Sequence, residues 1–160
     1  MSEIVLSVGS NLGDRLGYLR LAADLARATA PLRGLRWSPV YETEPVGGPA
    51  QDDYLNAVLV AETDLEPTGV LRLAQSWEAA AGRERTERWG PRTLDVDVIS
   101  VDAIRSHTPE LTLPHPRAHE RAFVLVPWLD VDPAAELVGR GRVADLVRKM
   151  DTSGVRRWSR

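Results

Sequence analysis

The chain has 160 residues, 43% hydrophobic and 27% charged, with 20 basic and 23 acidic side chains for a net charge of −3. That length suits one domain, residues 1–160, with a core of its own, and the charge excludes a general electrostatic glove for nucleic acid. Cysteine is absent, which excludes disulfides, zinc–thiolate centres and thiol catalysis. No apolar stretch approaches the roughly 20 residues of a membrane span. The opening MSEIVLSVGS lacks the basic-then-apolar pattern of a signal peptide. A soluble, cytoplasmic, monomeric protein is expected, with neither nucleic acid nor membrane as a partner.

Ile4 to Val8 is an apolar run ended by Gly9-Ser10-Asn11, a buried strand running into a turn. Gly9 to Gly13 has neither the Lys-Ser/Thr of a P-loop nor the G-x-G-x-x-G spacing, so a structural turn is expected. Asp14 offers an N-cap to a helix whose apolar stripe is Leu16, Leu19, Ala23 and Ala26, with Pro31 and Gly34 as its stop. Leu35 to Glu42 alternates as a strand whose Pro39 prefers a sheet edge. Thr43 to Asp53 is rich in proline and glycine and reads as a functional loop. Tyr54 to Glu62 resumes as a strand, with Leu55, Ala57, Leu59 and Ala61 on one face and Tyr54, Asn56, Val58 and Val60 on the other.

Pro67 suits the first turn of a second helix, carried by Leu71, Ala74, Trp77 and Ala81 and stopped at Gly82. A cationic cluster follows, Arg83, Arg85, Arg88 and Arg92 around Trp89, and then Asp95 and Asp97 alternate with Leu94, Val96 and Val98. Period two puts both aspartates on one face of a strand, and its hydrophobic flanks suggest a central, partly buried position. Paired carboxylates repel unless a cation lies between them, and oxygen ligands favour Mg²⁺, with two ions sharing the pair. Arginines beside such a site suit phosphate recognition by bidentate contacts. An isolated D-x-D or a lone arginine at a helix end would be ordinary surface. The flanking Gly-Pro-Arg turn and the density of arginines set this stretch apart.

The order β-α-β-β-α-β predicts an α+β fold, a ferredoxin-like βαββαβ sandwich with an antiparallel sheet and both helices on one face. C-terminal helical and strand additions follow: a strand near Leu111–Leu113, a helix from Ala118 to Pro127, a helix over Val143–Met150 and an edge strand over Val155–Trp158. The second sheet face is then free. With Val96, Val98, Leu55 and Ala57 packed under the helices, that open face carries Asp95, Asp97, Tyr54 and Asn56.

R-W-G-P-R-T-L-D-V-D-V-I, together with G-S-N-L-G-D, Y-E-T-E-P-V-G, D-Y-L-N-A, G-R-x-R and L-P-H-P-R-A-H-E-R-A-F-V-L-V-P, resembles the 6-hydroxymethyl-7,8-dihydropterin pyrophosphokinases of folate biosynthesis. The resemblance runs from Gly9 to about Pro127. It implies transfer of pyrophosphate from ATP to the hydroxymethyl oxygen of the dihydropterin, releasing AMP, with Asp95 and Asp97 holding two Mg²⁺ ions. It implies that Arg83 and Arg92 act on the triphosphate and in closing the active-site loop. Gln75, Glu78, Arg85, Arg88, Trp89, His115 and Arg121 match positions around ATP or the closed loop. The pterin would lie between Tyr54 and Phe123, its polar edge read by Asn56 and the backbone near Thr43, Glu44 and Val46. Thr86 stands where some relatives carry lysine, so no lysine contact to the phosphates is expected, and Ala122 stands where some have glycine.

An RNA-recognition module shares the βαββαβ frame and stacks bases on sheet aromatics. Two aspartates on the open face and a negative net charge oppose that reading. A metal-dependent nucleotide hydrolase would turn ATP over without any pterin.

Overall fold

The computed structural model describes residues 1–45, 51–82 and 93–159. Arg83, Arg85, Arg88, Trp89, Arg92 and Val46, all expected at the site, lie outside the described residues. Strand β1 (Ser2–Ser10) leads into helix α1 (Arg15–Ala28), β2 (Leu32–Trp37), β3 (Tyr41–Thr43), β4 (Tyr54–Thr63), α2 (Pro67–Ala80) and β5 (Asp95–Val101). The main sheet runs β10-β3-β4-β1-β5, where β10 is Val155–Arg157, and β2 lies along the other half of β4. Every pairing is antiparallel. This is the expected α+β arrangement, with one strand more.

Local chemistry explains most of the boundaries. Asp14 caps α1 by accepting from the Gly17 N–H at 3.0 Å, and Pro67 occupies the first turn of α2. Thr29 rather than Pro31 ends α1, and Gly34 falls inside β2 with φ +60, where the β2–β4 register shifts. The strand expected over Leu35–Glu42 is two strands, broken at Ser38-Pro39-Val40. Pro39 has no N–H to offer the ladder. Ser38 bridges the gap: its N–H donates to the Val58 carbonyl, and its Oγ accepts from the Val58 N–H, both at 2.9 Å.

The helix-side core joins Ile4, Leu6, Leu59, Val96 and Val98 to Leu19, Ala22 and Ala26 of α1 and Val70, Ala74 and Trp77 of α2. The opposite face is not left free. After a short hairpin, β6 (Ser106–His107) and β7 (Thr112–Leu113), comes a 3₁₀ turn at Ala118–Glu120 and then α3 (Ala122–Val131). Helix α3 continues through Pro127, because its burial of Val124, Leu125 and Trp128 against Val5, Val58, Val60 and Ile99 outweighs the missing hydrogen bond. A second small hairpin, β8 (Glu136–Leu137) and β9 (Gly141–Arg142), and helix α4 (Val143–Arg148) complete that layer through Leu137 and Val143. One half of the second face is therefore core. The other half, bordered by the first turn of α3, is a cavity.

Candidate active site

Strand β5 is the last strand of the sheet, not a central one. Its outward Val96 N–H is met by Glu78 of α2, whose Oε2 accepts it at 2.9 Å from a buried position. Glu78 thereby ties α2 to the strand edge, and neither it nor the exposed Gln75 lines the cavity. The phase of β5 is as expected. Val96 and Val98 are buried under the helices, while Asp95 and Asp97 are half-buried and face the cavity.

Registers across the sheet set the cavity floor. Asp95 stands opposite Gly9, Gly9 opposite Asn56, and Asn56 opposite Tyr41; one strand step along, Asp97 stands opposite Ser7. With neighbouring strands about 4.8 Å apart, Asp95 and Asn56 are roughly 10 Å apart across Gly9. A side chain at Gly9 would fill that interval: its Cβ would sit 2.6 Å from Asn56 Nδ2 and 3.3 Å from Tyr54 Cδ1. The Asn56 amide is held in turn by Thr43, whose Oγ1 donates to Asn56 Oδ1 at 2.5 Å, leaving Nδ2 to donate elsewhere. Both residues are buried, so the orientation is set by protein contacts rather than by solvent.

The wall opposite the sheet comes from the chain after β7. The His115 N–H donates to the Ile99 carbonyl at 2.8 Å, docking the Pro-His-Pro turn on β5. His115 Nδ1 accepts from the Arg117 N–H at 3.2 Å, so a neutral ring carries its proton on Nε2. Burial pushes the imidazole down to about 4, with Arg121 adding to the shift and Asp95 opposing it. Arg121 lies between two functional groups: Nη1 is 3.7 Å from Asp97 Oδ2, and Cζ is 5.4 Å from the Phe123 ring centroid. The resulting cavity, about 570 Å³, collects Asp95, Asp97, Tyr54, Asn56, His115, Arg121 and Phe123, together with Thr43 and Glu44.

The His115 geometry carries a pH prediction. The unfolded imidazole binds a proton near 6.5 and the folded one near 4, so stability should fall as pH drops through that interval. The loss is at most about 3 kcal/mol. Melting temperatures of the parent and His115→Gln at pH 7 and pH 5 check this. The parent should lose more on acidification, and equal losses would remove the assignment.

Sequence reasoning missed several lining residues. Gly9, taken as part of a turn, is the last-but-one residue of β1 and the cavity floor. Its phase with Ser7 was available in the alternation around Val8. Asp151, Ser153, Gly154 and Val155 also line the cavity. They get there because β10 pairs with β3 at the sheet edge, a non-local pairing with no local signature.

Among the described residues, no group of three or more His, Asp or Glu side chains is gathered into a ligand set. Asp95 and Asp97 are a pair of hard oxygen donors bordering a cavity. Such a pair fits Mg²⁺, which is commonly held by one or two carboxylates and completed by substrate phosphates and water. No helix among the described residues is long and apolar enough to cross a membrane.

The chain has named relatives. It is 51% identical to the 2-amino-4-hydroxy-6-hydroxymethyldihydropteridine pyrophosphokinase of Mycobacterium tuberculosis, over 88% of this chain and 78% of that one. The enzyme of the same name from Methylorubrum extorquens is 40% identical, over 98% of this chain and 99% of the relative. The solved structure of Plasmodium falciparum HPPK-DHPS wild type superposes with a TM-score of 0.71 at 14% identity, covering 98% of this chain and 47% of that one. That likeness concerns the fold, and this chain spans about half the length of the Plasmodium protein. The family model for 7,8-dihydro-6-hydroxymethylpterin-pyrophosphokinase matches residues 5–133, and the chain belongs to that family.

Proposed function

We infer that the cavity over Gly9 is where this chain carries out its family's reaction, transfer of pyrophosphate from ATP to the hydroxymethyl group of 6-hydroxymethyl-7,8-dihydropterin. What carries this reading is the shared cavity: two carboxylates at one end of its floor, a buried oriented amide and Tyr54 at the other, and Phe123 on the wall from α3. In the reaction the hydroxymethyl oxygen bonds to the β-phosphorus of ATP, and the bond from that phosphorus to the oxygen bridging to the α-phosphorus breaks. AMP leaves with the bridging oxygen, and the hydroxyl proton is released. Such transfers ask the protein chiefly for alignment and charge neutralisation.

Each end of the cavity has its task. Tyr54 and Phe123 flank the flat pterin, and Asn56, held by Thr43, offers Nδ2 to its polar edge. The backbone near Thr43 and Glu44 supplies further polar contacts, and Val46 completes them in the family pattern. Asp95 and Asp97 hold two Mg²⁺ ions, which supply neutralisation of triphosphate charge and a lower pKa for the acceptor hydroxyl. Arg121 brings positive charge beside Asp97 and braces the Phe123 ring through its cation–π contact. His115 presents its Nε2–H as a neutral donor to a phosphate oxygen. In the family pattern Arg83 and Arg92 act on the triphosphate and in closing the active-site loop. Arg85, Arg88 and Trp89 match positions around ATP or the closed loop, and Gln75 and Glu78 support the ATP end from α2. Residues 1–160 work as one domain, a reading supported by β10 pairing into the same sheet as β1, and the chain acts as a monomer.

The test resolves nucleotide products. AMP and pterin diphosphate should form only when ATP, Mg²⁺ and the dihydropterin are all present, and chelation of Mg²⁺ should stop the reaction. ADP, or ATP turnover without the dihydropterin, would overturn the reading in favour of a nucleotide hydrolase.

A further inference from the structure

The C-terminal strand carries a charge network outside the residues given roles above. On β10, Arg156 stands opposite Glu42 of β3. Its Nη2 donates to Glu42 Oε1 at 3.1 Å and to Asp53 Oδ2 at 2.8 Å. Glu42 Oε2 accepts from Arg15 Nη1 at 2.9 Å, and the same nitrogen donates to the Asp53 carbonyl at 2.9 Å. One carboxylate is thus shared by guanidiniums from the first helix and the last strand.

The placement of this network matters more than its strength. Glu42 immediately precedes Thr43, and Asp53 immediately precedes Tyr54. Thr43 and Tyr54 are themselves cross-strand partners. Glu42 pairs with Leu55, which packs under the helices, so the network lies on the face opposite the cavity. It grips the backbone from behind, at the two points where the chain presents Thr43, Tyr54 and Asn56. On the cavity face β10 is held independently: Arg157 lies 3.7 Å from Asp130 of α3, and Tyr41 donates its hydroxyl to the same carboxylate.

We propose that Arg156 and Glu42 are positioning residues for the acceptor, holding the ends of β3 and β4 so that the pterin end of the cavity is preformed. The inference rests on the functional reading above. A tether between two chain ends lowers the number of arrangements that Thr43 and Tyr54 must give up when the acceptor binds. The Arg156 side chain is 48% exposed, and half-exposed pairs contribute little to global stability. Its loss should therefore appear in acceptor binding and leave the melting temperature almost unmoved. The triphosphate end, carried by β5 and the His115 turn, is held by other contacts.

Steady-state kinetics with ATP and 6-hydroxymethyl-7,8-dihydropterin varied separately, on the parent, Arg156→Ala, Arg156→Lys and Glu42→Gln, tests this. In Arg156→Ala the KM for the acceptor should rise roughly tenfold, and the KM for ATP should change by less than about twofold. Arg156→Lys should recover part of the loss, because an ammonium can still reach one of the two carboxylates. Glu42→Gln keeps the shape while removing the shared charge, and should move the acceptor KM in the same direction. Equal rises in both KM values, or an unmoved acceptor KM in both Arg156→Ala and Glu42→Gln, would overturn the inference and leave the function standing. A parent protein that makes no pterin diphosphate would overturn both.

Discussion

Asp97→Ala and Asp95→Ala should each lower turnover by roughly a thousandfold, a barrier increase of about 4 kcal/mol, with the fold intact. The two effects separate because the carboxylates serve the bound state more than the folded one. Asp97 has Arg121 3.7 Å away, with side-chain exposures of 29% and 23%. A partly exposed pair of this kind contributes no more than about 1 kcal/mol. Against it stands the repulsion of Asp95, two residues away on the same face, which costs a few tenths of a kcal/mol to about 1 kcal/mol. Both are small beside the expected change in barrier, so the melting temperature should move far less than turnover. Turnover measured beside a thermal melt makes the comparison, and near-parental turnover in either variant would remove the metal-ligand role.

Gly9→Ala should damage acceptor binding, from a residue with no side chain of its own. The added Cβ would lie 2.6 Å from Asn56 Nδ2 and 3.5 Å from the Leu55 carbonyl oxygen. A flexible side-chain end could swing away, but Asn56 is buried and its amide is held by Thr43. Relief therefore requires breaking that hydrogen bond or moving β1 from β4. Overpacking of this sort costs about 1–3 kcal/mol. The displaced amide should also raise the acceptor KM by at least about tenfold, since the polar edge of the pterin loses its partner. A Gly9→Ala protein with parental acceptor KM and melting temperature would show that the amide has room the structure does not give it.

Local features were legible because a strand has period two and a helix has caps. The alternation of Leu94, Val96 and Val98 with Asp95 and Asp97, and of Leu55 and Ala57 with Tyr54 and Asn56, places all four polar side chains on one face wherever those strands pair. The Asp14 cap and Pro67 start were readable for the same reason. The family pattern added Phe123, His115 and Arg121, which the structure gathers around the same cavity.

Other features depend on partners remote in the chain. The break at Ser38 exists because one hydroxyl can replace a ladder carbonyl opposite Val58. The edge position of β5 depends on which strand lies beyond it, and among the described residues none does. A free second face was expected since nothing in residues 118–131 states where α3 will dock. Its apolar residues cover Val5, Val58 and Val60, while Ser7, Gly9 and Asn56 line the cavity.

The α+β order, the strand phases and the shared face of Asp95 and Asp97 follow from neighbours a few residues apart. How much of the face stays open, that Gly9 is its floor, and that β10 borders the cavity come from the tertiary structure. Those depend on pairings between residues more than a hundred apart, such as Glu42 with Arg156 and Tyr41 with Arg157, and no local periodicity encodes them.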